Sequence, residues 1–152
     1  MRARLRAVAL WVVATAVGAG CNDPATARYP EGRPRQSQSL QLDARAQVLA
    51  VVNPDADSIS IIDPKARVLL REIQLAARPT ATGGRYEPSL GPRGVDLSPD
   101  GKLAYVACQW SGQLLTVDVD SGELKQAVPI GAEPVSVLVH PSGAAVYVAS
   151  YQ

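Results

Sequence analysis

The chain has 152 residues, of which 47% are hydrophobic, and this apolar content argues against general disorder. It contains 12 glycines, 12 prolines and no phenylalanine, a composition that favours short strands and turns over helices. The formal net charge is +1, and no cluster of lysine and arginine marks a nucleic-acid partner.

The first 20 residues have the pattern of an export signal. Arginines at positions 2, 4 and 6 precede an apolar run over residues 7–17, which is too short to span a membrane. We expect this segment to form a signal helix that is removed. Small residues then precede Cys21, and together they resemble a bacterial lipobox in which Gly18 replaces the usual leucine. The resemblance implies that Cys21 is lipidated; ordinary cleavage nearby, leaving a plain thiol, is the alternative.

Two consequences follow for the exported chain. Without residues 1–20 it has 12 basic and 14 acidic side chains, a net charge of −2 (12 − 14), because all three lost charges are arginines. Residues 21–38 hold three prolines and little apolar content, which predicts a flexible tether between the membrane and a folded domain.

A repeat begins after the tether. Residues 92–110 recur at 134–152 with an offset of 42, and an earlier copy recurs at an offset of 55, whose excess of 13 (55 − 42) lies within residues 80–92. Alternating apolar positions predict strands near 39–43, 47–53, 58–63 and 67–75; near 94–98, 103–108, 113–119 and 123–130; and near 135–140 and 145–151. Four strands in about 42 residues are typical of a propeller blade. The predicted class is therefore all-β, a partial propeller of four-stranded antiparallel blades at about 39–79, 92–133 and 134–152, the last incomplete.

The motifs support this interpretation. Residues 98–101 (SPDG), Tyr105-Val106-Ala107 and residues 128–131 (VPIG) resemble the YVTN-type (YncE-like) β-propeller repeat, over about residues 40–152. The resemblance implies a ring that commonly closes with about seven blades.

Two and a half blades would leave sheet faces and the edge strand at 147–150 open, and open edges invite pairing. We hold three explanations: a piece of a longer reading frame, assembly with copies or a companion chain, or a smaller twisted sandwich.

The inserted loop is the best binding candidate, since loops on rigid scaffolds often carry function. The arginine within it and the two that flank it are suited to an anion or to a partner's carboxylates. Trp110, in a later turn, is a possible contact aromatic, and packing against its own hairpin is the alternative. The candidate binding residues are Arg78, Arg85, Tyr86, Glu87, Arg93 and Trp110. A decorated surface loop without a ligand is the alternative.

No catalytic, metal-binding or cofactor-binding arrangement is visible. Cys108 ends an alternating strand and is predicted to be a buried structural thiol, while His140, the sole histidine, occupies a turn. Asp63 and Asp118 end equivalent third strands and are predicted to cap the backbone of the turns that follow. The sequence carries neither a Cys-x-x-Cys-His haem motif nor a zinc pattern.

The predicted function is that of a lipid-anchored protein of the bacterial cell envelope, on the periplasmic or surface side. Its propeller would bind a protein or a small ligand, or act as a scaffold, without catalysis of its own and without nucleic acid. Self-association through open blade edges is a further expectation. The alternative, implied by the resemblance, is the N-terminal part of a redox protein that carries a c-type haem peroxidase-like domain.

Overall fold

The computed structural model describes residues 10–12, 39–43, 45, 47–76 and 89–151. In these ranges it contains β1 (Leu10–Val12), β2 (Leu40–Leu42), β3 (Leu49–Asn53), β4 (Ser58–Asp63), β5 (Val68–Gln74), β6 (Pro92–Leu97), β7 (Leu103–Cys108), β8 (Gln113–Asp118), β9 (Leu124–Pro129), β10 (Pro134–Val139) and β11 (Val146–Ser150). A 3₁₀ turn at Pro54–Ala56 joins β3 to β4. None of the helices in these ranges is long and apolar enough to cross a membrane.

The strands form three antiparallel sheets. The first sheet has the order β2-β3-β4-β5, the second β6-β7-β8-β9, and the third β1-β11-β10. Every strand predicted between residues 39 and 151 is present, with its ends within two residues of the expected positions. The all-β class and the four-stranded antiparallel blades are therefore confirmed.

The first two sheets repeat one another residue by residue. In the second sheet, one row of paired residues runs across all four strands as Leu97, Ala104, Val117 and Leu124. The same row in the first sheet is Leu42, Leu49, Ile62 and Leu69, at the offset of 55 throughout. The repeat seen in the sequence is thus a unit of hydrogen-bonded register.

The second sheet is buried on both faces because its strands are apolar at successive positions. Val106 and Leu115 pack against the first sheet, whereas Ala107 and Leu114 pack towards the third. All four have at most 6% of their surface exposed. Alternation with a period of two places neighbouring residues on opposite faces, so both faces of a middle sheet must be apolar.

The outer face of the first sheet differs from its counterpart in the second. One part is apolar and exposed, as at Leu40 and Leu42 (49% and 37% exposed). The other part carries polar contacts: the Asn53 amide donates to the hydroxyl oxygens of Ser58 and Ser60 at 3.0 and 2.9 Å. In the part of the chain that the structure describes, no other sheet lies against this face.

The signal helix expected near the N-terminus is wrong for the three leader residues that the structure describes. Leu10–Val12 forms a strand that pairs antiparallel with Val146–Val148 of β11. The edge of β11 presents unpaired N–H and C=O groups, and an extended backbone satisfies them in a way that a helix cannot. The rest of residues 1–20 lies outside the described residues.

The packing between the first two sheets gives a test of the fold. Leu115 is 1% exposed in this interface, so Leu115→Ala should lower the free energy of unfolding by about 2–5 kcal/mol. Leu124→Ala, in the same sheet but at a site 46% exposed, is the matched control and should lower the free energy of unfolding far less. Urea denaturation measures both, and equal losses would contradict face-to-face stacking.

Candidate functional site

Four connections meet at one end of the stacked sheets because alternate turns of antiparallel strands lie at the same end. Their described residues are 54–57, 75–76 with 89–91, 109–112 and 130–133, and we call the surface that these residues form the loop face. Backbone hydrogen bonds join them in pairs: Leu75 donates to the Asp57 carbonyl at 2.8 Å, and Ile130 donates to the Gly112 carbonyl at 2.9 Å. The two bonds are equivalent in the repeat, which shows that both blades build this end in the same way.

Trp110 lies on the loop face, and its position is fixed by a glycine. A Cβ atom added to Gly91 would lie 2.6 Å from Cδ2 of the Trp110 indole, so the ring rests directly against the Gly91 backbone. The Trp110 amide donates to the Leu90 carbonyl at 3.0 Å. The indole is still 58% exposed, which leaves an aromatic surface held in place and open to solvent.

Arg93 lies near the start of β6 and contacts the residue that precedes this tryptophan. Its Nε donates to Oε1 of Gln109 at 2.7 Å, and Gln109 directly precedes Trp110. Within the described residues, the ion pairs are confined to Lys125 with Asp118 and Glu123, so Arg93 has no carboxylate partner there. A neutral amide therefore orients the guanidinium without cancelling its charge.

The structure brings Arg93 and Trp110 onto one surface, two of the residues proposed from the sequence. The others, namely Cys21, Arg78, Arg85, Tyr86 and Glu87, lie outside the described residues. Their binding or lipidation roles stay predictions.

Asp57 is a central residue of this end that sequence reasoning missed. It is 1% exposed, and its carboxylate accepts hydrogen bonds from the Ser89 amide (2.5 Å), the Ser89 hydroxyl (3.1 Å), the Leu90 amide (3.0 Å) and the Gly91 amide (2.9 Å). The available signal was the repeat itself, because Asp57 stands where the second blade has Gly112. A charged side chain at a position that is glycine in the next blade needs hydrogen-bond partners if it is buried.

Asp96 is the second missed residue. It is 2% exposed, its Oδ1 accepts from the Leu97 amide at 2.8 Å, and its Oδ2 accepts from the Val139 amide at 2.7 Å. Val139 belongs to the third sheet, so Asp96 ties the second sheet to the third. The signal was a carboxylate between two apolar residues in the inner strand of a blade.

The carboxylates at the ends of the third strands have the structural role that the repeat predicted. Oδ1 of Asp63 accepts from the Lys65 and Ala66 amides at 2.8 and 2.9 Å. Oδ1 of Asp118 accepts from the Ser121 amide at 2.8 Å, and hydrogen bonds from Ser121 hold the Asp118 pKa below its ordinary value. Both therefore cap turns at the end opposite the loop face.

Cys108 and His140 do not form a catalytic arrangement. Cys108 is fully buried, and burial, with the nearby Asp57 carboxylate, raises its thiol pKa to about 12. His140 lies in the turn after β10, where its Nδ1 accepts from the Ser142 amide at 3.1 Å. This turn is at the far end of β10 from the loop face. Among the described residues, no group of three or more His, Cys, Asp and Glu side chains is placed to hold a metal ion.

Radially repeated four-stranded antiparallel sheets define a β-propeller. Residues 39–152 match the model of the lactonase, 7-bladed β-propeller family, and the chain belongs to that family. No curated protein matches the chain.

Several solved structures share the fold. Hydrazine synthase of Kuenenia stuttgartiensis aligns with a TM-score of 0.61 and 17% identity, over 80% of this chain and 31% of that one. The Cps50 (Swd1) β-propeller domain of Myceliophteria thermophila aligns with a TM-score of 0.52 and 18% identity, over 72% of this chain and 30% of that one. A candidate 6-phosphogluconolactonase of Bacteroides fragilis aligns with a TM-score of 0.53 and 22% identity, again over 72% of this chain and 30% of that one. The chain thus spans under a third of each of these structures, and the likeness establishes the fold alone.

The capping role of Asp118 predicts a pH dependence. A carboxyl whose pKa is lowered by folding adds stability above its unfolded value of about 3.9, and this contribution is lost as the pH falls through the folded value. Asp118→Ala should therefore lower Tm at neutral pH, and its difference from the parent should shrink on acidification. Thermal unfolding followed by circular dichroism measures this, with the exposed Asp120→Ala as control. A difference that is constant with pH would contradict the capping role.

Proposed function

We propose that this chain is a β-propeller binding module whose ligand surface is formed by Arg93, Gln109 and Trp110 on the loop face. The observation that carries the proposal is a fixed pair of groups. An exposed indole is seated on Gly91, and the Arg93 guanidinium is held by the residue that precedes this tryptophan, Gln109, with no carboxylate partner among the described residues. Trp and Arg are the residue types that most often dominate binding surfaces.

The chemistry of these groups favours a ligand that combines a carboxylate with a flat apolar face. The Nε atom of Arg93 is engaged by Gln109 at 2.7 Å, which leaves the terminal nitrogens of the planar fork for a two-point contact with a carboxylate. The indole offers a broad apolar surface to the C–H face of a sugar ring or to an aromatic ring. A sugar acid meets both requirements.

We also propose a family subgroup for the propeller and a cellular location for the chain. The motifs at residues 98–101 and 105–107 support a YVTN-like subgroup. The basic, apolar and small-residue order before Cys21 supports export and lipidation, which would hold the loop face at the cell envelope.

The proposed lipid anchor at Cys21 has a direct test. Cys21→Ser should move the protein from the membrane fraction to the soluble fraction of a bacterial host, because the thiol is the attachment point of the lipid. Cys108→Ser is the matched control and should leave the distribution unchanged. Equal membrane association of parent and Cys21→Ser would overturn the anchor.

The ligand surface is tested with two sugars that differ in a carboxylate. We expect the full chain to bind D-glucuronate about tenfold more tightly than D-glucose, since a charge-assisted hydrogen bond contributes about 1.5–3 kcal/mol. Arg93→Ala should remove this preference, and Trp110→Ala should weaken the binding of both sugars. Ligand-observed NMR and calorimetry measure the affinities.

Arg71→Ala is the control, because Arg71 is exposed on β5 and contacts Ser121 at the other end of the sheets. Equal affinity for the two sugars, or an unchanged preference in Arg93→Ala, would overturn the proposed ligand class. The family match raises lactone hydrolysis as the second candidate. Turnover of D-glucono-1,5-lactone above its spontaneous rate, removed by Arg93→Ala, would assign catalysis to this face instead of binding alone.

A further inference from the structure

The carboxylate of Asp57 connects the first blade to the segment that begins the second. Its four hydrogen bonds all come from Ser89, Leu90 and Gly91, at 2.5–3.1 Å, and Asp57 is 1% exposed. These three residues are the last part of the inserted loop before β6, so one side chain fixes the point at which that loop rejoins the sheet. Charge-assisted hydrogen bonds away from water are among the stronger polar contacts in proteins.

The backbone at Asp57 shows that its side chain is placed there against a local preference. Its φ is 45° and its ψ is 45°, in the left-handed region that residues other than glycine rarely adopt. The equivalent residue of the second blade, Gly112, adopts the same region with a φ of 65°. Glycine would fit this position with less strain, and the aspartate adds only its carboxylate.

The anchored segment in turn holds the ligand surface. The Leu90 carbonyl accepts from the Trp110 amide at 3.0 Å, and the Gly91 carbonyl accepts from the Gln109 amide at 2.9 Å. The indole of Trp110 rests on Gly91 itself. A continuous set of contacts therefore runs from Asp57, through the segment 89–91, to Gln109 and Trp110.

We propose that Asp57 is the positioning residue of the loop face, which sets the placement of Trp110 by anchoring Ser89–Gly91 across the boundary between the first two blades. The proposal rests on the proposed function for its biological meaning. Its structural content does not require a ligand: without the carboxylate, the segment loses four hydrogen bonds, and the indole loses its fixed support.

The test uses the full chain in a Trp11→Phe background, which leaves Trp110 as the sole tryptophan. Asp57→Asn replaces an acceptor oxygen with an amide that opposes the backbone N–H groups. Asp57→Gly keeps the left-handed backbone without strain and removes the acceptor, so we expect it to be the less destabilised of the two variants. In both variants, the amplitude of nanosecond local motion of Trp110 should rise about twofold in time-resolved fluorescence anisotropy.

Two controls separate anchoring from a general loss of stability. Asp55→Asn changes an exposed residue in the same turn and should leave Trp110 unaffected. Asp96→Asn removes another buried carboxylate, at the boundary between the second and third sheets, and should lower Tm without loosening Trp110. Trp110 motion equal to that of the parent in folded Asp57→Gly, or equal loosening in Asp96→Asn, would overturn the proposal.

A sugar titration on the same variants distinguishes this inference from the proposed function. Asp57→Gly should weaken D-glucuronate binding about tenfold, with the preference over D-glucose retained because Arg93 is intact. Loosened Trp110 in variants of a parent that binds neither sugar would refute the ligand assignment and support the anchoring. Binding that survives unchanged with an unmoved Trp110 would refute the anchoring alone.

Discussion

The structure depends on each sheet burying an apolar face of its neighbour. A strand with apolar residues at successive positions buries itself only when both faces of its sheet are covered, and the second sheet meets this condition between the other two. Apolar stacking of this kind supplies most of the driving force for folding, but it is not directional. It brings the blades together without fixing how one sheet is placed on the next.

Two buried carboxylates supply the direction that apolar packing lacks. Asp57 and Asp96 each accept backbone N–H groups from the blade that follows, and each is at most 2% exposed. A hydrogen bond tolerates little change in distance or angle, so these contacts fix the relative placement of consecutive sheets. Removing either acceptor would leave buried N–H groups unsatisfied, which is more costly than losing the bond itself.

At the boundary between the first two blades, the loop face departs from the repeat. At left-handed positions the repeat tolerates glycine in one blade and another residue in the next, as with Gly112 and Asp57. The inserted residues, the aspartate and Trp110 all distinguish one blade boundary from a plain copy. Because the repeated framework stays the same on both sides, these departures change a surface without changing the fold.

The sequence by itself determined the strands, their period and the turn caps at Asp63 and Asp118, because each depends on neighbours within a few residues. It also drew attention to Arg93, which flanks the insertion, and to Trp110, in a later turn, as possible contact residues. Only the tertiary structure decided their contact with Gly91 and Gln109, the roles of Asp57 and Asp96, and the pairing of Leu10–Val12 with β11. Asp57 meets a partner 32 residues away and Asp96 one 43 residues away, and no local pattern specifies which backbone groups a folded chain will bring to a carboxylate over such a separation.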